Sequence, residues 1–101
     1  MELRQLRCLI AVAETQHFGR AAQRLGMIPA SFGRHIKLLE EGLGGQLLSR
    51  TTRHVVLTDA GREFVVQARE LVDRADHMER TFREGTHGKS KVLRIGAIDS
   101  A

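Results

Sequence analysis

The residues of this chain with chemistry to offer are cations, not nucleophiles or metal ligands. Arg34 and Lys37 stand three apart, and Arg50, Thr51, Thr52 and Arg53 follow as a short basic block. A guanidinium carries a planar fork of donors that fits the two acceptors on the major-groove edge of guanine. Lys, Arg and Thr supply most contacts to phosphate. Arg34 is therefore a candidate for a base edge, with a phosphate-only contact as the alternative, and Lys37, Arg50, Thr51 and Thr52 are assigned to phosphate. The charge distribution points the same way. Residues 1–57 hold eight basic and four acidic side chains, whereas residues 58–101 hold eight of each, so the whole formal excess of +4 lies in the first part. Such asymmetry marks a polyanion-binding segment followed by a neutral one.

Other chemistries fare badly. There is no Gly-rich phosphate loop and no spacing that suggests a nucleophile with its base, so no catalytic residue is assigned. Glu40 and Glu41 are adjacent on a helical pattern and diverge by about 100°, which reads as a solvated face or a salt bridge to Arg. Cys8 is the only cysteine and cannot form an internal disulfide; it reads as a small buried hydrophobe, and no Cys/His spacing resembles a metal site. Four Phe with no Tyr or Trp argue against a stacking platform for single strands. His35 and His54 read as exposed, and Arg20 and Arg24 as either solvated surface or further phosphate contacts. No apolar run approaches the roughly 18–20 residues of a membrane span, and no secretory signal opens the chain, so a soluble, cytoplasmic protein is expected.

These side chains need elements to hold them. Leu3, Leu6, Leu9, Ile10 and Val12 recur at helical intervals up to about Glu14. A polar break at 15–17 precedes a short helix with Phe18, Ala21, Ala22 and Leu25 on one face, stopped by Gly26. Pro29, the sole proline, suits the first position of the next helix, along which Phe32, Ile36, Leu39 and Leu43 repeat, with Arg34, His35 and Lys37 facing away. Gly42, Gly44 and Gly45 end it. Gln46–Leu48 reads as a connector that plugs two leucines into the core, and residues 50–57 as a two-stranded hairpin with a basic turn. Thr58 starts a long helix over 59–84. There Phe64, Ala68, Leu71, Ala75, Met78 and Phe82 form a heptad seam, flanked by the i,i+4 pairs Arg69/Asp73, Glu70/Arg74, Asp76/Arg80 and Glu79/Arg83. At roughly 39 Å this helix is too long to fold back onto a 57-residue unit. The seam is expected to face a partner helix while Val65 and Val72 cover the body. Residues 85–91 read as a hinge, and 92–101 as the first strand of a further domain.

Two short helices joined by a tight turn and followed by a basic hairpin give a mainly α fold class: a winged helix-turn-helix of three helices and a small two-stranded wing, then a long dimerisation helix. The body spans 1–58, with the helix-turn-helix at about 18–37 and the wing at about 50–57. Three blocks then carry a resemblance. They are Phe18-Gly19-Arg20-Ala21-Ala22-Gln23-Arg24-Leu25, Leu38-Leu39-Glu40-Glu41-Gly42-Leu43-Gly44 and Leu57-Thr58-Asp59-Ala60-Gly61. In this order and spacing, with Met1 to Leu6 and Leu93 to Gly96 at the ends, the chain resembles the LysR-type transcriptional regulators. The resemblance implies sequence-specific binding of double-stranded DNA, a homodimer through the linker helix, and tetramers of the intact protein. It also implies a C-terminal effector-binding domain beyond this sequence, so that a small-molecule effector, and no cofactor of the present residues, is expected. Base contacts in the family come from the start of the recognition helix and from the wing, which here means Pro29, Ala30, Ser31, Gly33, Arg34 and Arg53.

The sequence departs from that pattern where specificity is set. The family's Ser-Gln before the recognition helix is Ile28-Pro29 here, and a Ser three residues into it is Gly33. Ile cannot cap the helix, at a cost of about 1 kcal/mol, which Pro partly offsets by presetting φ. Losing Gln removes a side chain able to make paired hydrogen bonds to adenine. Fewer base contacts at the helix start are expected, with more weight on Arg34, the wing and DNA shape. Two other functions fit the same composition: a sequence-tolerant architectural DNA binder, and a helical dimerisation module.

Overall fold

The structure is a computed structural model that describes residues 1–50 and 54–88. Its element order is α1 (Leu3–Thr15), α2 (Phe18–Arg24), α3 (Pro29–Leu43), β1 (Leu48–Arg50), β2 (Val55–Leu57) and α4 (Asp59–Gly88). The fold class is the one the sequence implied, helices with a two-stranded antiparallel wing.

Each boundary has a local cause. At the start of α1 the Glu2 backbone N–H donates to Gln5 Oε1 at 3.1 Å, and Gln16 closes the helix in the left-handed region at φ 55°. His17, which the sequence showed only as part of a polar break, caps α2: its Nδ1 accepts from the Arg20 backbone N–H at 3.0 Å. Gly26 then takes φ +67°, a conformation that costs glycine little, and turns the chain into α3. Ile28 sits at the α3 cap position without a side-chain hydrogen bond, and Pro29 occupies the first turn. Gly42 lies inside α3; the stop is Gly44, at φ +78° with its N–H on the Glu40 carbonyl.

The core is aliphatic with one aromatic. Leu6, Leu9 and Val12 of α1 meet Ala21 and Ala22 of α2, and Phe32, Ile36 and Leu39 of α3, all essentially buried. The paired alanines let α2 cross its neighbours closely. Leu47 and Leu48 plug into this core as expected, but Leu48 is already in β1, so the wing begins at 48 instead of 50. Its register pairs Leu48 with Leu57 and Arg50 with Val55.

Where α4 begins, Thr58 makes three hydrogen bonds besides the helical one from the Arg62 N–H to its carbonyl. Its N–H donates to the Leu47 carbonyl at 2.9 Å, its hydroxyl donates to the Gln46 carbonyl, and the same oxygen accepts from the Gly61 N–H, each at 2.9 Å. A Cβ on Gly61 would collide with the Leu47 carbonyl oxygen. The Thr58-to-Gly61 block thus welds helix to wing.

Along α4, Val65, Ala68 and Val72 are buried against the body. Two expectations change here. Ala68, placed on the partner-facing seam, belongs to the core of the protomer. The helix also continues to Gly88, through the first four residues of the expected hinge, because an internal glycine such as Gly85 costs a helix only about 1 kcal/mol and no proline follows it. Two of the expected ion pairs along α4 are replaced by pairs across to α1. Arg7 pairs with Asp76 at 2.8 Å, and Arg69 reaches Glu14, which also holds Arg24 of α2 at 2.5 Å. Glu79–Arg83 forms as expected. The expected strand at 92–98 lies outside the described residues.

Candidate nucleic-acid interface

Two surfaces of α3 are set apart by its own pattern. Phe32, Ile36 and Leu39 face the core, which leaves Pro29, Ala30, Arg34 and Lys37 exposed on the opposite side. Ser31 and Gly33 are half-buried. His35, expected to face away, is also half-buried, because it follows Phe32 by three positions and borders the buried stripe. The apolar Ile28 is 68% exposed at the mouth of the helix. A Cβ added to Gly33 meets nothing within 4 Å, so no contact inside the protein requires glycine there.

Between α3 and the wing runs an open cleft of about 530 Å³ lined by Gly33, Lys37, Glu40, Gln46, Leu48, Ser49 and Arg50. It brings together three of the residues singled out from sequence, Gly33, Lys37 and Arg50. One cation stands on each wall. The remaining wing residues of that set, Thr51, Thr52 and Arg53, lie outside the described residues.

The cleft depends on a residue whose role the sequence concealed. Glu40 Oε2 accepts from the backbone N–H groups of Leu47 at 2.8 Å and Leu48 at 3.1 Å. Among the described residues it pairs with no arginine; it is the clasp that ties the end of α3 to the start of β1. The signal was a carboxylate followed within a few residues by three glycines, a segment too short of side chains to satisfy its own backbone. Arg24, read as surface or phosphate contact, is held by Glu14 and points to the side of α1. Arg20 stays exposed.

The expected seam on α4 splits. Leu71, Met78 and Phe82 are exposed at 46%, 60% and 60%, with Phe64 and Ala75 half-buried beside them. Burial pushes the Cys8 thiol up to about 11, which suits a core hydrophobe and not a reactive thiolate. Among the described residues no group of three or more His, Cys, Asp or Glu could hold a metal. No helix among them is long and apolar enough to cross a membrane.

Comparison with known proteins agrees with this geometry. The bacterial regulatory helix-turn-helix protein, lysR family, matches residues 3–62. The HTH-type transcriptional regulator TtuA of Agrobacterium vitis is 54% identical across this whole chain, which covers 33% of TtuA. The HTH-type transcriptional regulator IlvR of Caulobacter vibrioides is 40% identical across the whole chain, which covers 34% of IlvR. The chain thus spans about a third of the length of the curated relatives it matches. Among solved structures, the BenM_DBD/catB site 1 DNA complex superposes with a TM-score of 0.82 at 40% identity, covering 87% of this chain and 98% of that one. The CbnR_DBD–DNA complex superposes at 0.79 and 37% identity, covering 85% and 99%. The chain belongs to the lysR family of bacterial regulatory helix-turn-helix proteins.

Proposed function

We propose that this chain binds double-stranded DNA sequence-specifically, as the DNA-binding part of a transcriptional regulator that pairs through α4. The observation that carries the reading is the cleft between α3 and the wing, with Lys37 and Arg50 on its two walls and the exposed start of α3 beside it. An α-helix with side chains is about 10–12 Å across, and the major groove is about 12 Å wide. With α3 in the groove, a sugar-phosphate strand lies along the cleft, where Lys37 and Arg50 neutralise and position it, and Thr51 and Thr52 add uncharged hydrogen bonds to phosphate. Pro29, Ala30, Ser31, Gly33 and Arg34 then meet base edges, with Arg34 on guanine, and Arg53 reaches the minor groove. The relatives solved with DNA support this.

Leu71, Ala75, Met78 and Phe82, with Phe64 at their edge, supply the pairing surface. Small-molecule effector binding then falls to the part of the whole regulator beyond this chain. The intact protein is cytoplasmic and tetrameric in this reading, and its chemistry is binding and not catalysis.

Titrating labelled duplex with the chain over a series of salt concentrations tests the proposal. A steep fall of affinity with salt, together with strong preference over unrelated competitor duplex, is the expected result. A steep slope without preference would support the architectural alternative, and weak binding with a shallow slope the dimerisation module.

A further inference from the structure

Phe18 connects the wing to the core in a way its helical spacing did not reveal. Its ring meets that of Phe32 edge-on, with centroids 5.6 Å apart and planes at 72°, and Phe32 is fully buried. On the other side, the guanidinium carbon of Arg50 lies 4.9 Å from the centroid of the Phe18 ring. Arg50 is the last residue of β1 and shares a strand face with Leu48, whose side chain is in the core. The strand period therefore aims Arg50 back toward the helix-turn-helix, and Phe18, at the first position of α2, is what it meets.

We propose that Phe18 is a positioning residue for DNA binding: its ring face holds the Arg50 guanidinium at the mouth of the cleft between α3 and β1, preset for a phosphate. The inference rests on the reading of that cleft as the DNA interface. An aromatic face is the negative part of the ring quadrupole and attracts a cation without using any of its N–H donors. All five donors of Arg50 thus stay available to phosphate oxygens. A long side chain already restrained loses less rotamer freedom when it binds than a free one. Lys37, on the other wall, is an exposed point charge. Arg50 is held by the body through Phe18, and Phe18 by Phe32, so the edge of the core fixes where the wing meets the strand.

A double-mutant cycle on the full 101-residue chain tests this, with a duplex recovered from a randomised pool as the probe. Phe18→Leu keeps an apolar side chain and removes the ring face. Affinity is expected to fall about three- to tenfold with sequence preference unchanged. The same substitution in an Arg50→Ala background is expected to cost nothing further, and Arg50→Ala is expected to lower the salt slope by about one. Equal losses in the two backgrounds would overturn the inference, because Phe18 would then act through packing alone. Should Phe18→Leu fail to fold, pentafluorophenylalanine at position 18 keeps the ring shape and reverses its quadrupole. Weakened binding by a normally folded chain then supports the inference, and unaltered binding overturns it. Absence of duplex binding by the unsubstituted chain would instead remove the DNA-binding reading itself, and this inference with it.

Discussion

The two halves of α4 carry one continuous seven-residue repeat and end in opposite surroundings. In the first half, Val65, Ala68 and Val72 are packed into the body's core, and Arg69, with Asp76 just past the midpoint, is tied to α1 by ion pairs. In the second half, Met78 and Phe82 are 60% exposed, and the pair Glu79–Arg83 runs along the helix itself. A heptad repeat states that an apolar stripe exists, not what covers it. The helix repeats every 3.6 residues, so a 3.5-residue stripe drifts about 20° per heptad. A stripe that starts beside the body can leave it two or three turns later. The docked half makes α4 part of the domain, and the free half leaves apolar side chains exposed.

The largest effect is expected where the docked half is joined to the wing. Gly61→Ala drives a methyl group into the Leu47 carbonyl and should lower stability by about 3 kcal/mol or more in urea denaturation. A cost under about 1 kcal/mol would mean that α4 sits loosely on the wing. Next comes a paired test of the two halves. Val72→Ala in the docked half should cost about 2 kcal/mol. Phe82→Glu in the free half should leave the stability of the dilute monomer within about 0.5 kcal/mol, yet weaken self-association more than tenfold by sedimentation. Matching effects from the two substitutions would erase the distinction between the halves.

Most of the architecture was legible in the sequence, because its signals are local. The apolar spacing of α1 and α3, Pro29 in the first turn, the glycine turn at Gly26 and the capping Thr58 each act within a few residues of themselves. What escaped reading depends on contacts between elements. Glu40 looked like a solvated carboxylate because its partners, the Leu47 and Leu48 N–H groups, become reachable only once the chain has turned after Gly44. Asp76 looked like the i,i+4 neighbour of Arg80, and nothing local announces Arg7, 69 positions away. Ala68 was assigned to the partner because its seam position and its core position differ by only a fraction of a turn. The cations of the interface were legible by residue type, but the grip of Phe18 on Arg50 was not, since the ring's spacing marks it only as apolar.

Smaller effects follow the ion pair near the end of the docked half. The Arg7 guanidinium, first by hydrogen bond and then by charge, holds the Asp76 carboxyl below its usual range. That stabilisation is present in full above the unfolded carboxylate value of about 4 and is lost as the pH falls through the lower folded value. Arg7 itself stays charged over the whole range. Asp76→Asn should therefore lower the melting temperature by a constant amount at neutral and alkaline pH, with the difference from the unsubstituted chain vanishing along the acid limb. An unaltered melting temperature at neutral pH would show that the pair contributes nothing to docking. The smallest effect is a rate. With its thiol pushed up to about 11 by burial, Cys8 should react with an alkylating reagent at pH 8 only when the core opens. Labelling should speed up in the Val72→Ala variant and stay unchanged in Phe82→Glu, and equal acceleration in the two would deny that the halves are energetically separate.

In the proposed function, a body that reads DNA and an arm that pairs two bodies make one joint demand on the sequence they select. Recovery of bound duplexes from a randomised pool at fixed salt, with the unsubstituted chain, should yield an interrupted palindrome. Its half-site centres should be separated by about 10 base pairs or a multiple of that, since a two-fold dimer presents two recognition helices to major grooves on one side of the duplex. Enrichment of a single unrepeated half-site, or no enrichment at all, would contradict the account.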